Sequence, residues 1–472
     1  MLESLRQWYR RRAAQPWVRP WGLATPILVL VVCLPILRPL RHPTRLSDNE
    51  RQRLATIESI VERDTLAIDG SSFYPQNPRD RRAGSHPPNV SPQPPVLAAL
   101  LAVPYRIMHR AGLSFATNDV LAAYLLTILG ATLPVALAGG LVYRLGRIFE
   151  LSRPMRMVLA MGVVFGTGLV AYATVLNSHA PAAALLLACC GAFHHALTTA
   201  RRGFANAWLA MAGFGAGLAA VIDLGAAVFL LAFVLVIVAM SWTLTNRLGG
   251  ILFYVLGALP PLALHAVLSI TITGDVLPAI LHRPLLYGAL SDRPAPADEL
   301  EDAPPGYGSV VAGNLTDGLI GARGLLSHFP VLLLGLAGIG TVMRRHWPAP
   351  TKMLAVASIA GAGVIVLVYA LLAPRWDQPM FAVRWFILFT PLLMLWAGAW
   401  MRKEHHPATW SLAGTLLAFS VTTSLLGATA PFTPAREGEY TVSAAVRLMI
   451  RGYPQEAGYA QVSPIAPRQV SQ

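Results

Sequence analysis

The sequence predicts an all-α polytopic membrane protein with about eleven transmembrane helices, and three observations carry that reading. First, 55% of the 472 residues are hydrophobic and 13% are charged, with a mean hydropathy of +0.53. Soluble domains carry about 25% charged residues, so no soluble core can hide this much apolar surface behind so few charges. Second, apolar runs of the length needed to cross a hydrocarbon core recur along the chain. Third, the short connections between alternate runs are basic. The net charge is +14, and the basic residues are arginine apart from Lys352 and Lys403. Their placement makes them a topology signal and argues against nucleic-acid binding.

Residues 1–20 form a basic leader with Arg6, Arg10, Arg11 and Arg12. The first run, 21–40, is too long for a removable signal peptide and lacks a small-residue cleavage site, so it reads as a signal anchor. A first external loop, 41–119, follows. Within it Ser47 and Glu50 make a capping-box pattern, and Leu54, Ile57 and Val61 recur at helical spacing. An amphipathic helix on the membrane surface is expected there. Residues 64–69 read as an extended piece ending in a turn at Gly70. Pro94 and Pro95 then open a second interfacial helix over 95–110.

The remaining spans are expected at 120–143, 157–176, 180–200, 205–222, 224–243, 249–272, 329–343, 353–373, 385–401 and 408–430. The pair 205–243 is one apolar stretch interrupted at Asp223-Leu224-Gly225. A second external loop, 273–328, contains a Pro-rich acidic segment at 294–306. Arginines at 144, 147, 153, 156, 201, 202, 247, 344, 345 and 402 all fall on one side of this eleven-span arrangement. By the positive-inside rule that side is cytoplasmic, which puts the N-terminus inside and the tail, 431–472, outside. The tail shows no convincing periodicity and is assigned no role. The expected location is the inner (plasma) membrane.

Polar residues that lipid does not explain cluster on the external side. Asp48 lies just past the first span, where it either favours the helix dipole or takes a proton from an acceptor hydroxyl in a membrane-level cavity. Glu50 caps the same helix or contacts substrate. His179 lies in a very short external connection, as a turn residue or a donor contact. Asp223 sits at the outer end of a helical hairpin, where an ionisable group is either a cap or a functional residue. Arg384 and Arg323 stand at outer ends of spans, suited to phosphate recognition or to snorkelling; His328 follows Arg323 before the next span. The pairs His194-His195 and His405-His406 have no further ligand at metal spacing. No metal site is assigned, and divalent-cation dependence is left open.

Taken together, an Asp after the first span, an amphipathic helix, a Gln93-Pro94-Pro95 loop and a second interfacial helix resemble the GT-C membrane glycosyltransferases. That group includes protein O-mannosyltransferases and the bacterial aminoarabinose transferase, which use polyprenyl-phosphate sugars. Asn177-Ser178-His179, the glycine-rich run ending at Asp223, Gly324-Leu-Leu-Ser-His-Phe-Pro330 and Phe381-Ala-Val-Arg384-Trp385 are similar to a bacterial branch of it. The likeness covers about 20–400, within a GT-C-like membrane domain over 21–430. It implies transfer of a sugar, with inversion, from a polyprenyl-phosphate donor in the bilayer to a lipid, glycan or protein hydroxyl, with Asp48 as general base. It further implies donor-phosphate contacts from Arg51, Gln93, Arg323 and Arg384. Glu50, His179, Asp223 and His328 would contact substrate. One departure stands out: the lysine usual before the paired prolines is Gln93 here. Either an arginine compensates (Arg51, Arg82, Arg323 or Arg384) or the chain is a catalytically degenerate relative. A transporter or lipid flippase is the competing class, but it predicts mid-membrane polar residues and paired broken helices in an inverted repeat. The chain shows one interrupted pair, at 205–243, without an obvious counterpart, and its informative polar residues cluster on one face.

Overall fold

A computed structural model describes residues 20–40, 46–73, 90–199, 202–240, 247–278, 307–372, 380–433, 435–436 and 438–451. The described chain is helical, with one isolated antiparallel bridge between Ala67 and Val90. The leader, Arg82 and the acidic segment 294–306 lie outside the described residues.

Helix α1 (Pro20–Leu40) is the first apolar rod. α2 (Asp48–Glu62) starts on a complete capping box: Ser47 and Glu50 satisfy each other's backbone N–H groups. Its inner face buries Glu50, Arg53, Leu54, Ile57 and Glu58. Glu58 accepts hydrogen bonds from Ser71 and from the Ser72 N–H at 3.0 Å, which ties the following turn back onto the helix. α3 (Pro95–Arg110) begins with the proline pair and packs against α2.

α4 (Phe115–Leu145) is the second long apolar rod and carries a π-helical turn at Ile128–Thr132. The expected third span is broken. α5 (Arg153–Phe165) stops at Gly166, Gly168 takes a left-handed φ of +75°, and α6 (Leu169–Ala173) resumes. Backbone polar groups freed inside a membrane need partners, and buried hydroxyls supply them. Ser424 accepts from the Gly168 N–H at 3.1 Å, and Thr390 donates to the Thr167 carbonyl at 3.0 Å.

α7 (His179–Thr198), α8 (Arg202–Ile222), α9 (Ala227–Met240) and α10 (Arg247–Thr273) follow, with a 3₁₀ turn at Leu224–Ala226 between α8 and α9. α11 (Tyr307–Leu319) and the short α12 (Leu325–His328) lead into α13 (Leu332–Arg344) and α14 (Ala349–Leu372). The expected span 385–401 is instead three pieces: a 3₁₀ turn Arg384–Leu388, α15 (Thr390–Leu395) and α16 (Ala397–Met401). α17 (Pro407–Thr429) is the last long rod, and α18 (Thr441–Arg451) folds back beside it.

Among the described residues, six helices are long and apolar enough to cross a membrane, and three shorter apolar helices accompany them. The chain is a multi-pass, all-α membrane protein. The eleven expected runs are all helical in large part, but the third and tenth are interrupted rather than continuous. The tail, read as aperiodic, instead carries a helix that buries Ala444, Ala445 and Leu448.

Candidate active site at one rim of the bundle

Interrupted helices and loops converge at one rim. The α6–α7 connection, residues 174–178, brings the Leu176 backbone against α2. Glu50 accepts from the Leu176 N–H at 3.0 Å, and Arg53 donates to the Leu176 carbonyl at 3.4 Å. Both side chains are nearly inaccessible, at 2% and 3% exposed.

Arg53 also donates to Gln93 Oε1 at 3.1 Å, and Gln93 Nε2 lies 2.9 Å from the Asn49 amide. The far side of that amide lies 3.1 Å from both Nη atoms of Arg384. Asn49 thus has a donor on each side and one carbonyl oxygen to offer. Turned towards Arg384, the oxygen accepts from both Nη atoms. Arg53 Nε is buried without a hydrogen-bond partner among the described residues. The result is a cradle of hydrogen-bond donors with a guanidinium at each end. Burial pulls the Arg53 pKa down to about 10; Asp223 and Glu50 oppose that and Arg384 adds to it. Burial likewise lowers Arg384, against the pull of Tyr172, Tyr369 and Asp223. Both remain cationic at neutral pH.

Beside the cradle, His179 Nδ1 meets Asp223 Oδ2 in a close hydrogen bond, 13% and 4% exposed. Asp223 Oδ1 accepts from the Gly225 N–H at 3.1 Å, as the cap of the 3₁₀ turn. Burial pushes the Asp223 pKa up, but His179, the Gly225 N–H and Arg53 together hold it below its ordinary value. Removing His179 would leave the buried Asp223 carboxylate without one of its hydrogen-bond donors, which is costly for a buried acceptor. Tyr369 stacks on Trp385, ring centroids 4.9 Å apart, and Tyr172 donates to the Phe381 carbonyl at 2.6 Å. These rings wall the Arg384 side. A small pocket opens next to Arg53 and Gln93, bordered by Thr56, Ser91, Pro94 and Ile272.

The structure therefore gathers Glu50, Gln93, His179, Asp223 and Arg384 from the expected set. It adds Asn49, Arg53, Tyr172 and Tyr369, which the sequence did not single out. Asp48 stands on the opposite side of α2 from Arg53: its side chain is 80% exposed and paired with Arg51. Arg323 is half-buried on the 321–324 turn and forms no hydrogen bond or ion pair with the cradle among the described residues. His328 is fully buried, bonded to the Gly324 carbonyl at 2.8 Å and to Thr441 at 2.6 Å. It belongs to the anchorage of the tail. No group of three His, Cys, Asp or Glu side chains is placed to hold a metal ion among the described residues.

A multi-pass bundle with amphipathic helices on one rim and a basic cradle beneath them has the GT-C type of fold, and two solved structures share it. One is the oligosaccharyltransferase of Archaeoglobus fulgidus in the apo form: 14% identity, TM-score 0.50, covering 97% of this chain and 62% of that one. The chain thus spans less than two thirds of the archaeal protein. The other is ArnT from Cupriavidus metallidurans bound to undecaprenyl phosphate: 14% identity, TM-score 0.50, covering 91% of this chain and 77% of that one. Both are GT-C superfamily glycosyltransferases. No protein-family model and no curated protein matches the chain.

Proposed function

We propose that this protein is an integral-membrane glycosyltransferase that takes a sugar from a polyprenyl-phosphate donor and passes it to an acceptor hydroxyl on the non-cytoplasmic face. The observation that carries the reading is the Arg53–Gln93–Asn49–Arg384 cradle at the rim of a GT-C-type bundle. A lipid phosphate needs charge and donors at the level of the headgroups, and it needs few acceptors. Guanidinium groups supply paired donors and permanent charge. The ArnT structure, solved with undecaprenyl phosphate, supports the choice of lipid. Gln93 offers no charge of its own, and Arg53, which donates to it, meets that need.

In this mechanism Asp48 accepts the proton of the acceptor hydroxyl from the open side of α2, next to Asn49. The hydroxyl oxygen bonds to the anomeric carbon as the bond from that carbon to the phosphate oxygen breaks, inverting the configuration. The lipid phosphate leaves with the extra negative charge, and Arg53 and Arg384 stabilise it where it develops. His179, held by Asp223, and Glu50 shape the sugar side. The positive rim opposite the site is assigned to the cytoplasm, with the N-terminus there and the tail outside.

Transfer of labelled sugar from lipid-linked donors, measured with the purified protein in membranes, tests the proposal. Asp48→Asn should abolish transfer while undecaprenyl phosphate is still retained. Arg384→Gln or Arg53→Gln should weaken retention by about 10- to 100-fold, the loss of one charge-assisted hydrogen bond or two. Lipid phosphate bound without transfer from any donor would mark a catalytically inactive relative. Full activity in Asp48→Asn would remove that carboxylate from the mechanism.

A further inference from the structure

The loop that presents Arg384 is held from an unexpected quarter. Ala382, two residues before Arg384, has a left-handed φ of +49°, a conformation that costs a non-glycine residue roughly 1–2 kcal/mol and persists only when neighbours enforce it. Three contacts enforce it. The Phe381 N–H donates to the Pro431 carbonyl at 3.0 Å, and Tyr172 donates to the Phe381 carbonyl at 2.6 Å. The Ala382 N–H donates to Thr441 Oγ1 at 3.3 Å.

Thr441 is fully buried at the start of α18, and its hydroxyl has a defined direction. The Gly324 carbonyl can only accept, so His328 Nδ1 carries the proton towards it. That leaves Nε2 as the acceptor of the Thr441 hydroxyl proton. The chain runs Ala382 N–H to Thr441 O–H to His328 to the Gly324 carbonyl, each group donating to the next. The same segment is pinned at two more points: the Thr441 N–H donates to the Ala322 carbonyl at 3.1 Å, and Tyr440 donates to the Ser327 carbonyl at 2.6 Å. α18 buries Ala444, Ala445 and Leu448 on one side and leaves Met449 and Ile450 exposed on the other. An apolar edge of this kind suits the bilayer interface.

We infer that the C-terminal segment 440–451 is a strap that sets the position of Arg384, with Thr441 as its positioning residue. The consequence for ligand binding rests on the donor-phosphate role of Arg384 proposed above. The strap acts through the Ala382 backbone, so losing the Thr441 hydroxyl frees the loop without removing any cation. Thr441→Val keeps the shape and deletes the relay, and Thr441→Ser restores it.

Hydrogen exchange over residues 380–388 and retention of undecaprenyl phosphate by the full-length protein in detergent provide the test. In Thr441→Val, exchange at 382–384 should accelerate, and retention per folded molecule should fall about tenfold, the effect of losing about 1.4 kcal/mol of interaction. Thr441→Ser should match the parent in both. A purely architectural Thr441 would lower the yield of folded protein but leave retention per folded molecule unchanged, and that result overturns the inference. Unchanged exchange in Thr441→Val overturns it too. If the parent protein itself fails to retain undecaprenyl phosphate, the proposed function falls, and the exchange comparison alone decides the strap.

Discussion

On α2 one residue of helical phase separates two different chemical environments. An α-helix turns about 100° per residue, so Asn49 lies about 40° from Arg53 around the axis and Asp48 about 140° away. That phase explains why Asn49 touches the Arg384 guanidinium while Asp48 is exposed and pairs with Arg51. The sequence showed only the apolar spacing of Leu54, Ile57 and Val61; that Glu50 and Arg53 lie on the same buried face and Asp48 off it came from the structure. Tyr172 and Tyr369 were not legible, since nothing local distinguishes them from lipid-facing aromatics. His328 yields a prediction at this scale. Burial pushes its pKa down to about 4, against the pull of its bond to Gly324, from an ordinary 6.5. Between those values the unfolded chain binds a proton that the folded chain refuses, so stability rises with pH there. The contribution is fully present above about pH 6.5 and is lost as the pH falls towards about 4. Thermal unfolding in detergent should show that loss in the parent protein, and the increment should be missing from His328→Gln.

At the scale of elements, the helices are apolar enough to be read as spans, but their interruptions are decided by partners far away in the chain. The 166–168 break persists because Ser424 and Thr390 satisfy its backbone; the local sequence shows only two glycines in an apolar run. Packing between rods likewise depends on small residues at crossing points, as expected where lipid offers no hydrophobic drive for helix association. α8 and α10 approach so closely that a Cβ on Gly213 would lie 1.9 Å from the Tyr254 carbonyl oxygen, and one on Gly257 2.0 Å from that of Ala210. Gly213→Ala should therefore force the two helices apart and lower stability by about 1–3 kcal/mol, as overpacking does. Gly203→Ala on the same helix, with nothing within 4 Å of the added carbon, should leave the unfolding midpoint near that of the parent.

At the scale of the whole molecule, the two rims of the bundle differ in character. One holds the cradle and the amphipathic helices. The other holds Glu150 bonded to Arg402 at 2.6 Å, Arg402 over the Trp347 ring at 5.2 Å, and the stacked Trp400 and His405. If the basic rim is cytoplasmic, as proposed, an impermeant thiol reagent applied to intact cells should label Arg110→Cys at the exposed end of α3. It should label His346→Cys, exposed on the opposite rim, only after lysis. The native Cys33, Cys189 and Cys190 are buried and should stay silent. The reverse pattern would invert the orientation and move the site to the cytoplasmic side. Hydropathy and capping chemistry, both local properties, sufficed to determine the membrane class, the run of apolar helices, the surface helices α2 and α3 and the bare presence of Asp223, His179 and Arg384. Only the tertiary structure decided that Arg53 and Arg384 share one cradle, that His179 and Asp223 pair, and that the tail holds the Arg384 loop. Those contacts join residues 44 or more apart in the chain, and their free energy comes from desolvated charges and shared hydrogen bonds that exist only once the helices have packed.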